Sequence, residues 1–288
     1  MVLDDAITRK ICSFVKIKPR SVDEIAKHID KNWRTTERYV QIIEKETGCI
    51  STKIFREGTR GALKIVFWNA IEDIHSLGFQ EELLEEIMGL KDKVDFSPFD
   101  IFQYIDKNKK RVYIENDKKV DPELEISEKR DLIGMLRKAA KQLIIFSGNL
   151  SFINSKQGDT KIIEILRELA KKGVSIKIIA RVSLIGSENI VKLLAINKEL
   201  GKEAIEIRHR YQPLRMMIID NKIAMMREVK YPEYYTQGEL KNKIAVLYDI
   251  YDKDWIEWLQ KVFWKMFSAA MPAEKRLQEM KEIRNRLM

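Results

Sequence analysis

The sequence predicts a protein of two parts: a small α+β module over residues 1–68 and a layered α/β domain over residues 127–288. Three observations support this prediction. The length of 288 residues is about that of two average domains. Apolar residues follow a helical period near the N-terminus, whereas short apolar runs alternate with helical patterns after residue 127. The net charge is +5 over residues 1–68, −7 over residues 69–126 and +11 over residues 127–288.

The composition excludes several classes of protein. With 45% hydrophobic and 34% charged residues, the chain suits a globular fold with a buried core. The apolar runs are too short to cross a bilayer, and the acidic start at Asp4 and Asp5 does not fit a secretory signal. The two cysteines, Cys12 and Cys49, are too few for a zinc cluster of four thiolates. We therefore expect a cytoplasmic protein with no membrane partner, no metal and no cofactor.

Helical patterns occur three times in the first 68 residues. The apolar positions of the first helix are Ile7, Ile11, Phe14 and Val15. Ser21 and Glu24 form a capping-box pattern, which predicts the start of a second helix. A third helix is predicted from about Trp33 to Glu46, and it ends before Gly48 because glycine is favoured just after a helix C-terminus.

Two β-rich runs follow the third helix, at residues 49–56 and 62–68, and the glycine-bearing loop 57–61 joins them as a hairpin. A helix, a helix–turn–helix and then a hairpin is the element order of a winged helix-turn-helix. In that fold the third helix enters the major groove of DNA, where its N-terminal residues contact base edges. The sequence therefore predicts double-stranded DNA as the partner of residues 1–68.

The third helix has an apolar stripe of Trp33, Thr36, Val40 and Ile43, and its other face carries side chains that read bases. Arginine binds guanine, glutamine pairs with adenine, and threonine reaches phosphate or the thymine methyl group. The candidate DNA contacts are Lys31, Arg34, Thr35, Arg38 and Gln41 at the third helix, and Arg56, Arg60 and Lys64 on the wing. We expect Trp33 and Tyr39 to be core or staple residues and not base contacts. The alternative is a winged helix that contacts another protein, with Arg34 and Arg38 on a solvated face.

Residues 69–126 are interpreted as a helical connecting segment. A helical pattern covers residues 70–91 with an acidic side. Such a helix carries the dimer contact in some DNA-binding proteins, and the alternative is that it packs under the second domain. We expect a homodimer.

An α/β pattern begins at about residue 127. Strands are predicted at 143–146, 174–180, 204–208, 215–219, 222–226 and 243–250, with helices at 127–141, 160–172, 188–200 and 252–271 and a charged helix after Pro272. Alternating strands and helices indicate a layered α/β domain over residues 127–288. The aromatic helix 252–271 fits either its own sheet or a dimer partner.

The loop Ser147-Gly148-Asn149 and the stretch 211–222 give this domain the order of one phospholipase-D-like unit, which it resembles. The resemblance implies a His-x-Lys-x4-Asp motif in which the histidine is the nucleophile or acid and the lysine holds the phosphate. Asp220 matches the aspartate, Arg215 stands at the lysine position and Pro213 at the histidine position. Proline has no lone pair or proton to give, so we expect no catalytic residues and no enzyme activity.

A winged helix-turn-helix joined to a degenerate phospholipase-D-like α/β domain resembles the TrmB family of archaeal transcriptional regulators. The resemblance covers roughly residues 1–68 and 127–270, and residues 69–126 have no counterpart. It implies transcription regulation, a dimer and a sugar effector bound by the C-terminal domain. No sugar-binding constellation can be identified among the residues of this chain.

Ligands of α/β sheets bind beyond the carboxyl ends of the strands. This rule selects Ser147, Asn149, Arg181, Ser183 and Arg215 as a candidate site for a small anionic or sugar effector. The alternative is that Arg215 pairs with a carboxylate such as Asp220 and that Asn149 caps a loop.

The sequence is consistent with three candidate functions. The first is a DNA-binding transcriptional regulator. The second is a phosphodiesterase or nuclease of the phospholipase-D type, against which the missing histidine argues. The third is a protein-interaction scaffold of the transcription machinery.

Overall fold

A computed structural model of the chain describes residues 5–47, 50–56, 62–68, 77–115, 126, 130–184, 186–236 and 238–287. The N-terminal elements are α1 (Asp5–Ile17), β1 (Arg20–Ser21), α2 (Val22–Ile29), α3 (Trp33–Thr47), β2 (Ile50–Arg56) and β3 (Ala62–Trp68). The three strands form an antiparallel sheet in the order β1-β3-β2, which is the winged helix-turn-helix arrangement. Val15, Ile25 and Val40 join α1, α2 and α3 in one core.

The capping box predicted at the start of α2 is present. The Glu24 N–H donates to Ser21 Oγ at 3.2 Å, and the Ser21 N–H donates to the Glu24 carboxylate at 2.7 Å. Asp30 ends α2 with a left-handed φ of 54°. Aspartate tolerates this conformation, so the chain can reverse direction and begin α3 three residues later.

The C-terminal elements surround one large mixed sheet. They are α4 (Leu77–Gly89), α5 (Phe99–Phe102), β4 (Lys110–Glu115), α6 (Leu132–Arg137), β5 (Gln142–Ser147), β6 (Lys156–Gln157), β7 (Thr160–Lys161), α7 (Ile162–Lys171), β8 (Ser175–Ala180), α8 (Ser187–Leu200), β9 (Ile205–His209), β10 (Met216–Ile219), β11 (Ile223–Lys230), β12 (Ile244–Ile250), α9 (Lys253–Ser268), β13 (Met271–Pro272) and α10 (Ala273–Leu287). The strand order of the eight-stranded sheet is β13-β9-β8-β5-β10-β11-β12-β4. Strands β9, β8 and β5 are parallel, and the other pairs are antiparallel. The predicted fold class, a winged helix followed by an α/β domain, is confirmed.

Helices cover both faces of the sheet. Helix α9 packs on one face, where Trp255 and Trp258 are buried, so this aromatic helix covers its own sheet. Helices α6, α7 and α8 cover the other face together with Ala273 and Leu277 of α10. No helix among the residues that the structure describes is long and apolar enough to cross a membrane.

The segment 69–126 is not only a helical connector, and this corrects the sequence interpretation. Strand β4 at its end pairs with β12 in the register Val112↔Tyr248, so the α/β sheet begins before residue 127. The predicted helix 127–141 is also shorter, because Asp131 caps α6 by accepting the Gly134 N–H at 2.8 Å. The rest of these predictions concern residues 69–76, 116–125 and 127–129, which lie outside the described residues.

The winged helix packs directly on the α/β part. Phe55 and Ile65 of the hairpin belong to the same core as Phe99 of α5, and Phe67 meets Phe99 edge-on with ring centroids 5.0 Å apart. At the rim, the Thr236 hydroxyl donates to the Asp23 carboxylate of α2 at 2.6 Å. The hairpin therefore has an apolar side against the sheet, and α3 lies beyond it.

Candidate functional site

Helix α3 is anchored by its N-terminal turn and by a buried stripe. Asn32 accepts the Thr35 N–H on its Oδ1 at 2.9 Å, as helix N-cap residues do. The Thr36 hydroxyl donates to the Asn32 carbonyl oxygen at 3.0 Å and is buried. Tyr39, Val40 and Ile43 complete the inner face. Because these residues fix the rotation of the helix, its opposite face points outward.

The outward face of α3 is cationic. Arg34, Arg38, Gln41 and Lys45 are all exposed. Their spacing of four, three and four residues places them in one row along the helix. Thr35 is half-buried at the edge of this row, and Lys31 is exposed just before the helix. We call the four exposed side chains the α3 face.

The carboxylates that the structure describes on α3 are held by the hairpin. Glu37 lies 3.4 Å from the Lys64 ammonium of β3. Glu44 accepts the Thr52 N–H of β2 at 2.9 Å. Both acidic groups are therefore engaged with β2 and β3, and their negative charge is partly neutralised away from the α3 face.

The structure changes the interpretation of two residues at this site. Lys64 is only 8% exposed and pairs with Glu37, so it joins β3 to α3 and is not a wing contact for DNA. Trp33 is 39% exposed, which excludes the core role expected for it and leaves the staple role as a prediction. Tyr39 is 7% exposed, as expected. Arg56 ends β2, but its side chain and the whole of Arg60 lie outside the described residues.

A second site lies at the carboxyl ends of β5, β8 and β9. A cavity of about 100 Å³ is lined there by Ser147, Asn149, Arg181 and Arg215, four of the five residues selected from the sequence. Ser183 is not among its lining residues. Arg210 and Gln212 also line it and were missed. They lie one and three residues after the end of β9, so the same rule about strand ends, applied to the third parallel strand, selects them.

The loops around this cavity are fixed by internal hydrogen bonds. Asn149 Oδ1 accepts the Ser151 N–H at 3.2 Å, so Asn149 does cap its loop. The Gln212 amide donates to the Ser147 carbonyl oxygen at 3.2 Å. The Arg181 guanidinium is 3.9 Å from the Asp92 carboxylate. These contacts hold the loops at the opening of the cavity, which is lined by arginines.

Arg215 and Asp220 do not form the pair considered as an alternative. They lie at opposite ends of β10, about 16 Å apart along an extended strand. The Asp220 carboxylate accepts the backbone N–H groups of Ala140, Lys141 and Gln142 at 2.6–2.8 Å. Burial raises the pKa of Asp220, but these three hydrogen bonds and the nearby Lys222 ammonium together outweigh it and leave the pKa below its ordinary value.

The position that the phospholipase-D resemblance assigns to histidine holds the buried Pro213. His209 is the last residue of β9, and its Nδ1 accepts the Val182 N–H at 2.9 Å. Burial lowers the pKa of His209, and the nearby Arg276 lowers it further, so both effects favour the neutral imidazole. Within the described part of the chain, no group of three or more His, Cys, Asp or Glu side chains could hold a metal ion.

No protein-family profile and no curated protein matches the chain. Among solved structures it is similar to TrmBL2, an archaeal chromatin protein whose structure shows a novel mode of DNA binding, at 15% identity over 94% of both chains with a TM-score of 0.39. It is also similar to Nuc from Salmonella typhimurium, a phospholipase D family member, at 12% identity over 57% of this chain and 98% of that chain, TM-score 0.38. NucT from Helicobacter pylori covers the same shares at 15% identity and a TM-score of 0.39.

Proposed function

We propose that the protein is a DNA-binding transcriptional regulator whose helix α3 enters the major groove. The observation that carries the proposal is the α3 face, a row of exposed cationic and amide side chains on the third helix of a winged helix. An α-helix fits the width of the major groove, where arginine can bind guanine N7 and O6 with two hydrogen bonds. Arg34 and Arg38 lie in the first two turns of α3, the part of such a helix that contacts bases.

The charge of the module supports the same partner. Residues 1–68 carry a net charge of +5, and neutralisation of DNA phosphates with counterion release supplies most of the non-specific affinity of such modules. Lys31 and Lys45 lie at the two ends of the α3 face, where phosphates flank the groove. The alternative of a protein partner predicts a mainly apolar surface at this place, whereas the four side chains of the α3 face are polar and Trp33 is exposed beside them.

The test is replacement of Arg34 or Arg38 by alanine in the full chain. Each change should weaken specific binding to duplex DNA by about 1–3 kcal/mol, measured by fluorescence anisotropy over a range of salt concentrations. Arg9→Ala and Lys10→Ala are matched controls, because both residues are exposed on α1 and carry the same charge. Equal affinities and equal salt slopes for the two pairs of variants would overturn the proposal.

We further propose that the C-terminal domain is not catalytic and binds a small anionic or sugar effector at the cavity beyond β5, β8 and β9. Three arginines line that cavity, Arg181, Arg210 and Arg215, which favours an anionic ligand. In a thermal-shift titration with inorganic phosphate and sugar phosphates, a ligand should raise the melting temperature of the wild type. The Arg215→Ala variant should lose that shift, and no shift with any of these compounds would contradict an anionic effector.

The regulator is also proposed to act as a homodimer, which the resemblance to TrmB-type regulators implies. Two α3 helices related by a two-fold axis would read half-sites about one helical turn apart. Mapping of bound genomic DNA should then recover a short palindromic sequence, whereas uniform coverage would argue against recognition by a two-fold symmetric dimer.

A further inference from the structure

One edge of the large sheet gathers the ends of five neighbouring strands. Strands β5, β8 and β9 begin there, because Gln142 pairs with Ser175 and Ile176 pairs with Ile205. Strand β10 ends and β11 begins at the same edge, since Ile219 pairs with both Leu143 and Ile223. From β9 to β11 this edge spans about 19 Å at the usual spacing between strands.

Six lysines lie along this edge. All of the following side chains are exposed, and we call them the lysine edge: Lys138, Lys141, Lys171, Lys172, Lys202 and Lys222. Among the described residues none of the six has an ion-pair partner, whereas lysines elsewhere in the same sheet do. Lys177 of β8, for example, lies 2.6 Å from the Glu206 carboxylate of β9.

Most carboxylates near the lysine edge already have hydrogen-bond or ion-pair partners. Asp220 accepts three backbone N–H groups and also attracts the nearby Lys222, and Asp131 caps α6. Glu168 pairs with Arg137 at 3.3 Å. Glu203 is the exposed acidic residue that remains beside Lys202. The edge therefore presents a concentrated positive charge to the solvent.

Helix dipoles explain only part of this pattern. Lys138, Lys171 and Lys172 are at the C-terminal ends of α6 and α7, where a cation stabilises the last carbonyl groups. Lys141 and Lys222 belong to no helix and precede strands. A structural role at helix ends predicts a loss of stability when the lysines are removed, which separates that role from ligand binding.

The lysine edge and the winged helix lie at opposite ends of β11. This strand starts beside Lys222 and ends at Lys230, whose ammonium is 5.9 Å from the centre of the Phe55 ring of the winged helix. Its eight residues span about 23 Å. A duplex seated on the α3 face would be attached at the other end of the molecule.

We propose that the lysine edge binds the phosphate backbone of a second DNA duplex, so that one molecule bridges two DNA segments. The proposal rests on the proposed function, because the first segment is the one held by α3. Flexible lysines without fixed partners suit a contact with phosphates that does not depend on base sequence. The edge is long enough to follow several phosphates of one strand.

The experiment uses the full chain bound to an immobilised duplex and measures capture of a second, fluorescent duplex. The variant is Lys141→Gln/Lys172→Gln/Lys222→Gln, and the matched control is Lys261→Gln/Lys265→Gln/Lys275→Gln, which removes three exposed lysines from α9 and α10. The edge variant should keep its binding to the immobilised duplex and lose second-duplex capture by about tenfold or more. The control variant should capture as the wild type does.

Capture by the edge variant equal to that of the wild type, or reduced equally in the control, would overturn the bridging proposal. The double variant Lys141→Gln/Lys222→Gln alters no helix residue and should still weaken capture without lowering the melting temperature. Loss of binding to the immobilised duplex in Arg34→Ala/Arg38→Ala reports on α3 separately. The failure of bridging and the failure of the proposed function are therefore distinguishable.

Discussion

Trp33 is the largest apolar side chain exposed beside the α3 face. Its indole is 39% exposed at the first turn of α3, next to Arg34. Exposure of so much apolar surface is unfavourable in water, and contact with a deoxyribose or a thymine methyl group would remove part of it. We therefore expect Trp33 to extend the proposed DNA contact beyond the polar residues that the sequence selected.

The emission of Trp33 should change when DNA binds. Addition of duplex is expected to quench tryptophan fluorescence in the wild type, and Trp33→Phe should abolish most of the quenching. Trp264→Phe is the control, because Trp264 is also 39% exposed but lies on α9 among Phe263 and Phe267. If both variants retain the same quenching, the indole of Trp33 is not at the DNA surface.

Helix α5 places a carboxyl group between the winged helix and the sheet. The pKa of Asp100 is raised to about 7, mainly by burial and in addition by the carboxylates of Glu86 on α4 and Glu228 on β11. The Ser97 backbone and Lys18 oppose this shift only in part. The protonated form of Asp100 is therefore favoured in the folded protein at mildly acidic pH.

The raised pKa of Asp100 predicts the sign of a pH dependence. An unfolded aspartate ionises at a pH of about 4, so between about 4 and about 7 the folded state binds a proton that the unfolded state has lost. The free energy of unfolding should therefore fall as the pH rises from about 4 to about 7. Urea unfolding of Asp100→Asn should lack this component, and an unchanged slope relative to the wild type would contradict the assignment.

Individual elements differ in how far local sequence specifies them. The α2 capping box and the Asp220-Asn221 turn were predictable because a few neighbouring residues determine them. The turn residues have φ values of 47° and 59°, the left-handed conformation that tight hairpins require. Strand β4 was not assigned to the sheet, because its pairing with β12 joins residues more than a hundred positions apart. The sequence wrongly predicted Lys64 as an exposed wing residue for a similar reason, because its ion-pair partner Glu37 is on another element.

At the scale of the whole molecule, the winged helix and the sheet share one apolar core. The hairpin contacts the α/β part through Phe55, Ile65 and Phe67. This packing holds the winged helix, and α3 with it, against the α/β part. A duplex bound at the α3 face would have a defined direction relative to the lysine edge. The charge distribution along the sequence suggested two basic parts, but only the sheet register brings six dispersed lysines to one edge.

We propose that helix α3 recognises DNA from the major groove through its arginines. Methylation of guanine N7 blocks the position that arginine contacts in that groove. The most direct measurement compares binding of methylated and unmethylated duplexes to the wild type, to Arg34→Ala/Arg38→Ala and to the control Arg9→Ala/Lys10→Ala. We predict that methylation weakens binding of the wild type and the control but not of the α3 variant. Equal binding of methylated and unmethylated DNA by the wild type would contradict the claim.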